Sequence, residues 1–447
     1  MSAQGSEDSA GKLASRTRRL HAELSDEEVP LTDPDMFPTG LRREWPRALD
    51  VVCEEIVHAR YVEVHEGYRP SYGCVLVPAL TDIGAADGIT LAQLTANHET
   101  PADSPLTEEL SDTPWLNEDV APKLRQIIDG SSTFLIRDLD GRFAFGTVPA
   151  ADELALLELS RALSGVCIQR LGSGRIQVLT TEIVCVNDNF DWRWLTTASE
   201  ILPKLIATLE PPSDMLEDIT VHLGELLDLC VHLLSPRGIG ATVVWRISAG
   251  PSGAWSNQPT TPPVRLNFFD KRDRSAIVAL LATVDGACVV ARDGALMSYW
   301  AMLDPSTTAK ELVTEQGGTR HTSAKRYSYD EPGSLVVVVS ADGPVSVFSD
   351  GARLVRLADA AKDRGREWMT RLALDDAAQI AIQAHRIACQ RCDKQIHIDI
   401  DTHPAATDTV SVSCPVCATT PLATYENVVR SKVWVAKDWP GIGSASG

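Results

Sequence analysis

The sequence predicts a multidomain α/β (α+β) protein on three observations. Apolar, β-branched runs such as 241–247 and 334–339 alternate with amphipathic helical stretches, the pattern of a mixed sheet covered by helices. The 447 residues exceed one ordinary core, at roughly 100 to 200 residues per domain. Two cysteine pairs in the last quarter carry metal-ligand spacing. Apolar residues at 44% and charged residues at 23% describe a chain that folds.

Taken in order, residues 1–40 are rich in Ser, Asp, Glu and Pro with little apolar periodicity and are expected as a flexible tail. The start is polar and acidic, unlike an export signal, and no apolar run reaches the roughly 20 residues that span a bilayer. A cytoplasmic protein without membrane segments is expected. Residues 41–205 read as an α/β domain. It opens with helical spacing of Leu49, Val52, Cys53, Ile56 and Val57 and a buried strand over 73–80. A Pro-punctuated acidic excursion over 98–121 follows, then a hairpin about Asp140-Gly141. A helix opened by Pro149 and closed at Gly165 precedes strands over 166–169 and 176–186. Trp192 and Trp194 read as core or interface aromatics. This domain shows no phosphate loop, metal cluster or nucleophile elbow, so its chemistry is not legible.

Residues 215–352 form the next domain. A helix over 215–234 is broken at Gly238 and Gly240, and the strand 241–247 follows. A helix near 275–281 leads into Asp285-Gly286-Ala287 and a buried strand. The polar Gly317-Gly318-Thr319-Arg320-His321 run leads through a short helix to strand 334–339, which ends in Ser340. An acid beside a glycine at the lip of a strand can hold a cation or accept a hydroxyl proton, while the glycine admits a ligand to the backbone. A Gly-Thr-Arg-His loop supplies backbone donors, a hydroxyl, a planar cation and an imidazole. The pair of motifs suggests a nucleotide phosphate site, although either alone is ordinary turn chemistry.

In this order the motifs resemble the diadenylate cyclase domain family, over 215–350. They comprise the helix and first strand (Leu234 to Trp245), Asp-Gly-Ala, Arg-His, and the terminal Val-Val-Val-Val-Ser with its hairpin. The resemblance implies that two ATP molecules are joined into cyclic di-AMP with release of two pyrophosphates. It assigns Asp285 to the attacking hydroxyl and the catalytic Mg²⁺ or Mn²⁺, and Gly286 and Ala287 to the adenosine. Gly318, Thr319, Arg320 and His321 fall to the triphosphate, with Ser340 at the end of its strand as a further nucleotide contact. It also implies a homodimer or higher homo-oligomer, because each chain presents one ATP, and a sensor-like role for the N-terminal domain. Two positions depart from the family. Thr322 follows His321 where a second arginine is usual, leaving Lys325 and Arg326 as replacement cations. Ala341 follows Ser340 where glutamate is usual, leaving Asp342 as its replacement.

A helical connector is expected over 353–387, then a zinc ribbon over 388–435. Cys389-x2-Cys392 and Cys414-x2-Cys417, 21 residues apart, offer four thiolates for one structural Zn²⁺. His397 and His403 read as bystanders. The other six cysteines sit in apolar surroundings as small buried hydrophobes. The net charge of −20 argues against nucleic acid or an acidic membrane as partner. Ribbon cations such as Arg386, Arg391 and Lys394 are matched by Asp393, Asp399 and Asp401, so a protein partner fits the ribbon better than DNA. Two rival functions remain: a nucleotide sensor whose cyclase fold has lost its chemistry, and a scaffold recruited through the ribbon.

Overall fold

The long apolar runs become strands of two large mixed sheets, one in each of the units Met1–Thr196 and Thr197–Gly447. The computed structural model describes residues 4–26, 30–61, 71–79, 90–91, 121–148, 151–188, 191–247, 255–315, 317–357, 381–402, 407–419 and 421–435. Architecture is thus mixed α/β, with a small cysteine-rich module near the end. No helix among the described residues is long and apolar enough to cross a membrane.

The first unit runs α1 (Gln4–Asp26), α2 (Thr39–Arg42), α3 (Trp45–Arg60), β1 (Tyr72–Val77), β2 (Thr90–Leu91), α4 (Ala121–Arg125), β3 (Thr133–Asp138), β4 (Phe143–Thr147), α5 (Glu153–Ala162), β5 (Val166–Arg170), β6 (Ile176–Leu179), β7 (Ile183–Asp188) and β8 (Asp191–Thr196). Its sheet has the order β2-β4-β3-β1-β5-β6-β7-β8, with β1 and β3 parallel. The α1/α3 layer covers one face and α5 the other. The expected tail is corrected here: α1 is a 23-residue helix whose Leu20 and Leu24 are buried in the same core as Leu49, Val52 and Ile56 of α3. Polar composition hid a narrow apolar stripe. The helix expected from Pro149 starts instead at Glu153, where Asp152 caps it by accepting from the Ala155 amide at 2.9 Å. Trp192 and Trp194 join the core. The excursion over 98–120 lies outside the described residues.

The most demanding residue of this unit is Glu55, fully buried on α3. Its carboxylate accepts from Arg125 at 2.7 Å, from Arg137 at 2.6 Å and from the Tyr72 hydroxyl. Burial alone would raise its pKa, but the two guanidiniums reverse this and hold it at about 2. Its contribution to stability is therefore complete above pH 4.5 and is lost as the pH falls toward 2. Glu55→Ala takes the carboxylate from part-buried Arg125 and leaves buried Arg137 with Glu54 alone, at 3.0 Å. It is expected to cost about 3 kcal/mol of stability, measured by urea unfolding at pH 7.

The second unit begins with α6 (Ala198–Leu209) and α7 (Leu216–Leu229), which runs into a π-helical turn over Cys230–Leu234. Then come β9 (Ala241–Arg246), α8 (Arg274–Thr283), β10 (Ala287–Val290), β11 (Leu296–Ala301), α9 (Thr307–Leu312), α10 (Thr319–Asp330), β12 (Ser334–Val339), β13 (Val345–Ser349) and β14 (Ala352–Arg356). The sheet order is β11-β10-β9-β12-β13-β14, with only β9 and β10 parallel. Alternation sends Val244, Ala287, Val289, Val336, Val338 and Phe348 to one face, where they meet Ala324 and Tyr327 of α10. The intervening residues, including Val243, Cys288 and Val337, face the other way and are buried too. Burial of both faces explains why these strands read as unbroken apolar runs.

The last strands are β15 (Ala381–Ala388), β16 (Gln395–Thr402), β17 (Val410–Val412), β18 (Ala423–Tyr425) and β19 (Val428–Val435), in sheets β15-β16-β19 and β17-β18. The expected helical connector over 353–387 is thereby corrected at both ends. Residues 352–356 pair with β13 and 381–388 pair with β16 along their whole length, so strand partners supply the backbone hydrogen bonds a helix would have made. Residues 358–380 lie outside the described residues.

Candidate functional site

Strand register decides what meets at one end of the second sheet. Ala287 of β10 stands beside Thr242 of β9, and Val339 of β12 stands beside Ala241. The residues entering β9 and β10 and those leaving β12 therefore finish level, bringing Gly240, Asp285-Gly286 and Ser340-Ala341 together. The start of α10 lies over this edge. Arg320 Nη2 donates to Asp285 Oδ1 at 3.2 Å, and a Cβ on Gly240 would stand 2.6 Å from Arg320 Nη1. Two motifs 35 residues apart in sequence thus touch.

The pair is open to solvent, with the Asp285 side chain 81% and the Arg320 side chain 47% exposed. An exposed ion pair adds little to stability, so both groups can be redirected to a ligand at small cost. Gly286 takes φ +120°, and a Cβ there would come within 3.1 Å of the Trp300 backbone. Only glycine lets the chain pass beside β11 here. Ala287, expected beside the adenosine, is corrected: it is 1% exposed, packs in the core under α10 and is paired on both sides, with Thr242 and with Ala301, so it presents almost no surface to a ligand.

At the start of α10, Gly317 has φ +62° and Gly318 occupies the N-cap without a side-chain cap. The amides of the first turn have no intrahelical partner and carry the positive end of the helix dipole. Thr319 and Arg320 are exposed there. Half-buried His321 rests edge-on against Phe348, ring centroids 6.0 Å apart. Burial, then the charges of Arg356 and Arg353, push its pKa below 6.5, with Asp342 opposing. Ser340 is half-buried; its amide donates to the Pro344 carbonyl at 2.9 Å and its carbonyl accepts from Gly343 at 3.0 Å.

Arg353 and Arg356 escaped the sequence reading because β14 was not recognised. Cross-strand pairing of Arg353 with Phe348 and of Arg356 with Ser346 puts both on the face that carries His321. Lys325 and Arg326, expected as replacement cations, are corrected: α10 turns them away from this end. Lys325 is 4% exposed and donates to Thr314 Oγ1 at 2.9 Å, while Arg326 Nε donates to the Val313 carbonyl at 3.2 Å. Asp342 is exposed in the turn beside Ala341.

A second cluster gathers Cys389, Cys392, Cys414 and Cys417, all buried, with every Sγ within 4.8 Å of the others. Two of the separations are 3.6 Å, close to the roughly 3.8 Å between thiolates 2.3 Å from one tetrahedral ion. The donor set and spacing fit a single soft cation. His397 lies outside this group, and His403 lies outside the described residues. The remaining cysteines are all buried, and burial raises Cys53, Cys230 and Cys288 to about 12, as unreactive thiols.

Residues 229–353 match the family described as DisA bacterial checkpoint controller nucleotide-binding, a DAC domain. The match takes in every motif that meets at the sheet end and stops before the cysteines. No curated protein matches the chain. The cation-rich surroundings of His321 lead to a direct expectation. In an NMR titration its imidazole should titrate below 6.5 in the free protein and move upward when a polyphosphate binds, because anionic charge then favours the imidazolium. An unchanged titration in the presence of ATP would place His321 outside the phosphate site.

Proposed function

We propose that this protein is a diadenylate cyclase that condenses two ATP into cyclic di-AMP and two pyrophosphates. The observation that carries the reading is the meeting of Asp285 with Arg320 at the end of a sheet whose residues match the DAC domain. An uncapped helix start beside Thr319, Arg320 and His321 suits a triphosphate, and Arg353 and Arg356 extend the positive field. Gly286, half-buried and without a side chain, allows adenosine to lie against the strand lip, with Ser340 close by. Asp285 accepts a hydrogen bond from the 3′-hydroxyl of one ATP and takes its proton as that oxygen attacks the α-phosphorus of the other. The new phosphodiester bond forms as the bond to pyrophosphate breaks, and the second ATP repeats the step. Charge neutralisation and alignment supply most of the acceleration in such transfers.

Among the described residues no carboxylate group of three is assembled near Asp285. One carboxylate nevertheless fits Mg²⁺ or Mn²⁺, since such ions take one or two protein carboxylates and complete their shells with substrate phosphates and water. The divalent ion would neutralise phosphate charge; Asp285 would hold it. For the cysteine cluster the fitting ion is Zn²⁺, in a closed structural role. The reaction needs two chains face to face, so the protein acts as a homodimer or larger homo-oligomer, in the cytoplasm where ATP is abundant. Specific activity then rises with concentration in dilute solution.

Asp285→Asn keeps the shape and removes the charge; pyrophosphate release should fall by at least about 100-fold while ATP still binds. Arg320→Ala removes a charge-assisted donor and should weaken ATP binding by about tenfold or more in calorimetry. An Asp285→Asn enzyme with full turnover would overturn the assignment. The turned-away Lys325 and Arg326 favour one second reading, a nucleotide sensor: tight ATP binding by the native chain with no pyrophosphate release would establish it instead.

A further inference from the structure

The cysteine module shares a core with the cyclase-like domain. Val313 at the end of α9, Tyr329 of α10 and Ala352 of β14 belong to the same apolar cluster as Cys389, Cys414, Cys417 and Val416. Polar contacts reinforce the junction. The Thr314 amide donates to the Val416 carbonyl at 3.2 Å, and Val416 stands between the two cysteines of the second knuckle. Lys394, from the first knuckle, lies 4.8 Å over the Tyr329 ring and 3.7 Å from the buried carboxylate of Asp350. There is no slack here: a Cβ on Gly351 would stand 3.0 Å from Tyr329 and 3.2 Å from Val313.

From Thr314 the constraint passes into α10. Buried Lys325 donates to both the carbonyl and the hydroxyl of Thr314, and Arg326 donates to the Val313 carbonyl. The start of α10 is only five residues beyond Thr314, a short tether ending in the two glycines that precede Thr319. The knuckle whose cysteines would hold the metal therefore sets where Thr314 stands. Thr314 and Lys325 in turn set the pose of the helix that carries Arg320 and His321.

We infer that the four-cysteine ribbon is a positioning element of the nucleotide site, acting through Val416, Thr314 and Lys325 on the N-terminal turn of α10. The inference rests on the ATP site proposed above for its effect on binding, though the mechanical link itself does not. It implies that emptying the cysteine cluster frees the 313–324 segment and loosens the phosphate grip without touching a residue that meets ATP. Lys325 and Thr314 become positioning residues, and the departure at Thr322 leaves Lys325 with a task other than binding phosphate.

The test uses the full chain, reading metal content, hydrogen exchange by mass spectrometry and ATP affinity together. Cys414→Ser should lose the metal, speed exchange over 313–324 while leaving strands 241–246 and 334–339 protected, and weaken ATP binding by about tenfold. Lys325→Met should keep the metal yet show the same faster exchange and weaker binding, which separates the link from general loss of the ribbon. Should Cys414→Ser prevent folding, chelation of the native chain and Lys325→Met provide the same comparison. Loss of metal with unchanged exchange over 313–324 overturns the inference. If the native chain binds no ATP, the cyclase reading falls, and the exchange data still decide the link.

Discussion

The level ending of β10, β9 and β12 is the constraint on which the site depends. Because β9 and β10 run parallel, both chain entries lie at one end of the sheet, and antiparallel β12 delivers its exit to the same end. A slip of one residue in β12 would turn Val336 and Val338 away from α10 and bring Ser340 to a different level. The apolar pattern that fills both faces thus also positions the polar residues. Val244, Val289, Val338 and Ala324 hold α10 against the sheet, and Arg320 reaches Asp285 as a result.

The two charged assemblies of the chain contrast in physical role. Glu55 is fully buried with Arg137 beside it and part-buried Arg125 at its edge. These charges are committed to one another, Arg137 also to Glu54, so that moving any of them off its partner is costly. Asp285 and Arg320 lie in solvent, where the attraction between them is screened and easily exchanged. The second arrangement is what a binding site requires: opposite charges held near each other by the fold rather than by their own attraction. The arginines of β14 add positive charge that a free site bears in water and a bound polyphosphate would neutralise.

Much of this was legible in the sequence, for identifiable reasons. Strands buried on both faces announce themselves as runs such as Leu335 to Val339, and the cysteine pairs carry their spacing openly. Asp285, Arg320 and His321 stood out because residue type and local turn chemistry coincide in them. What was missed depends on pairing at a distance. In β14 two arginines interrupt Ala352, Leu354 and Val355, so neither a continuous run nor a strict alternation signals a strand and Arg353 and Arg356 stayed hidden, and Ala381–Ala388 becomes a strand only through its pairing with β16. Gly240, read as a helix breaker, proves to be the floor beneath Arg320. Helix phase was the other blind spot, since it turns Lys325 and Arg326 toward Thr314 and Val313. α1 was overlooked because a few leucines among many polar residues are enough to bury one side of a long helix.

A sheet end with one carboxylate, one guanidinium and an uncapped helix start is suited to aligning a nucleotide, and the identity of the product is what distinguishes a cyclase from other nucleotide enzymes. The most direct measurement is mass spectrometry of the nucleotides formed when the full chain is incubated with ATP and Mg²⁺ or Mn²⁺. The account predicts cyclic di-AMP with two pyrophosphates per product molecule. Formation of ADP or AMP in its place, or ATP that stays intact over a range of protein concentrations, would contradict it.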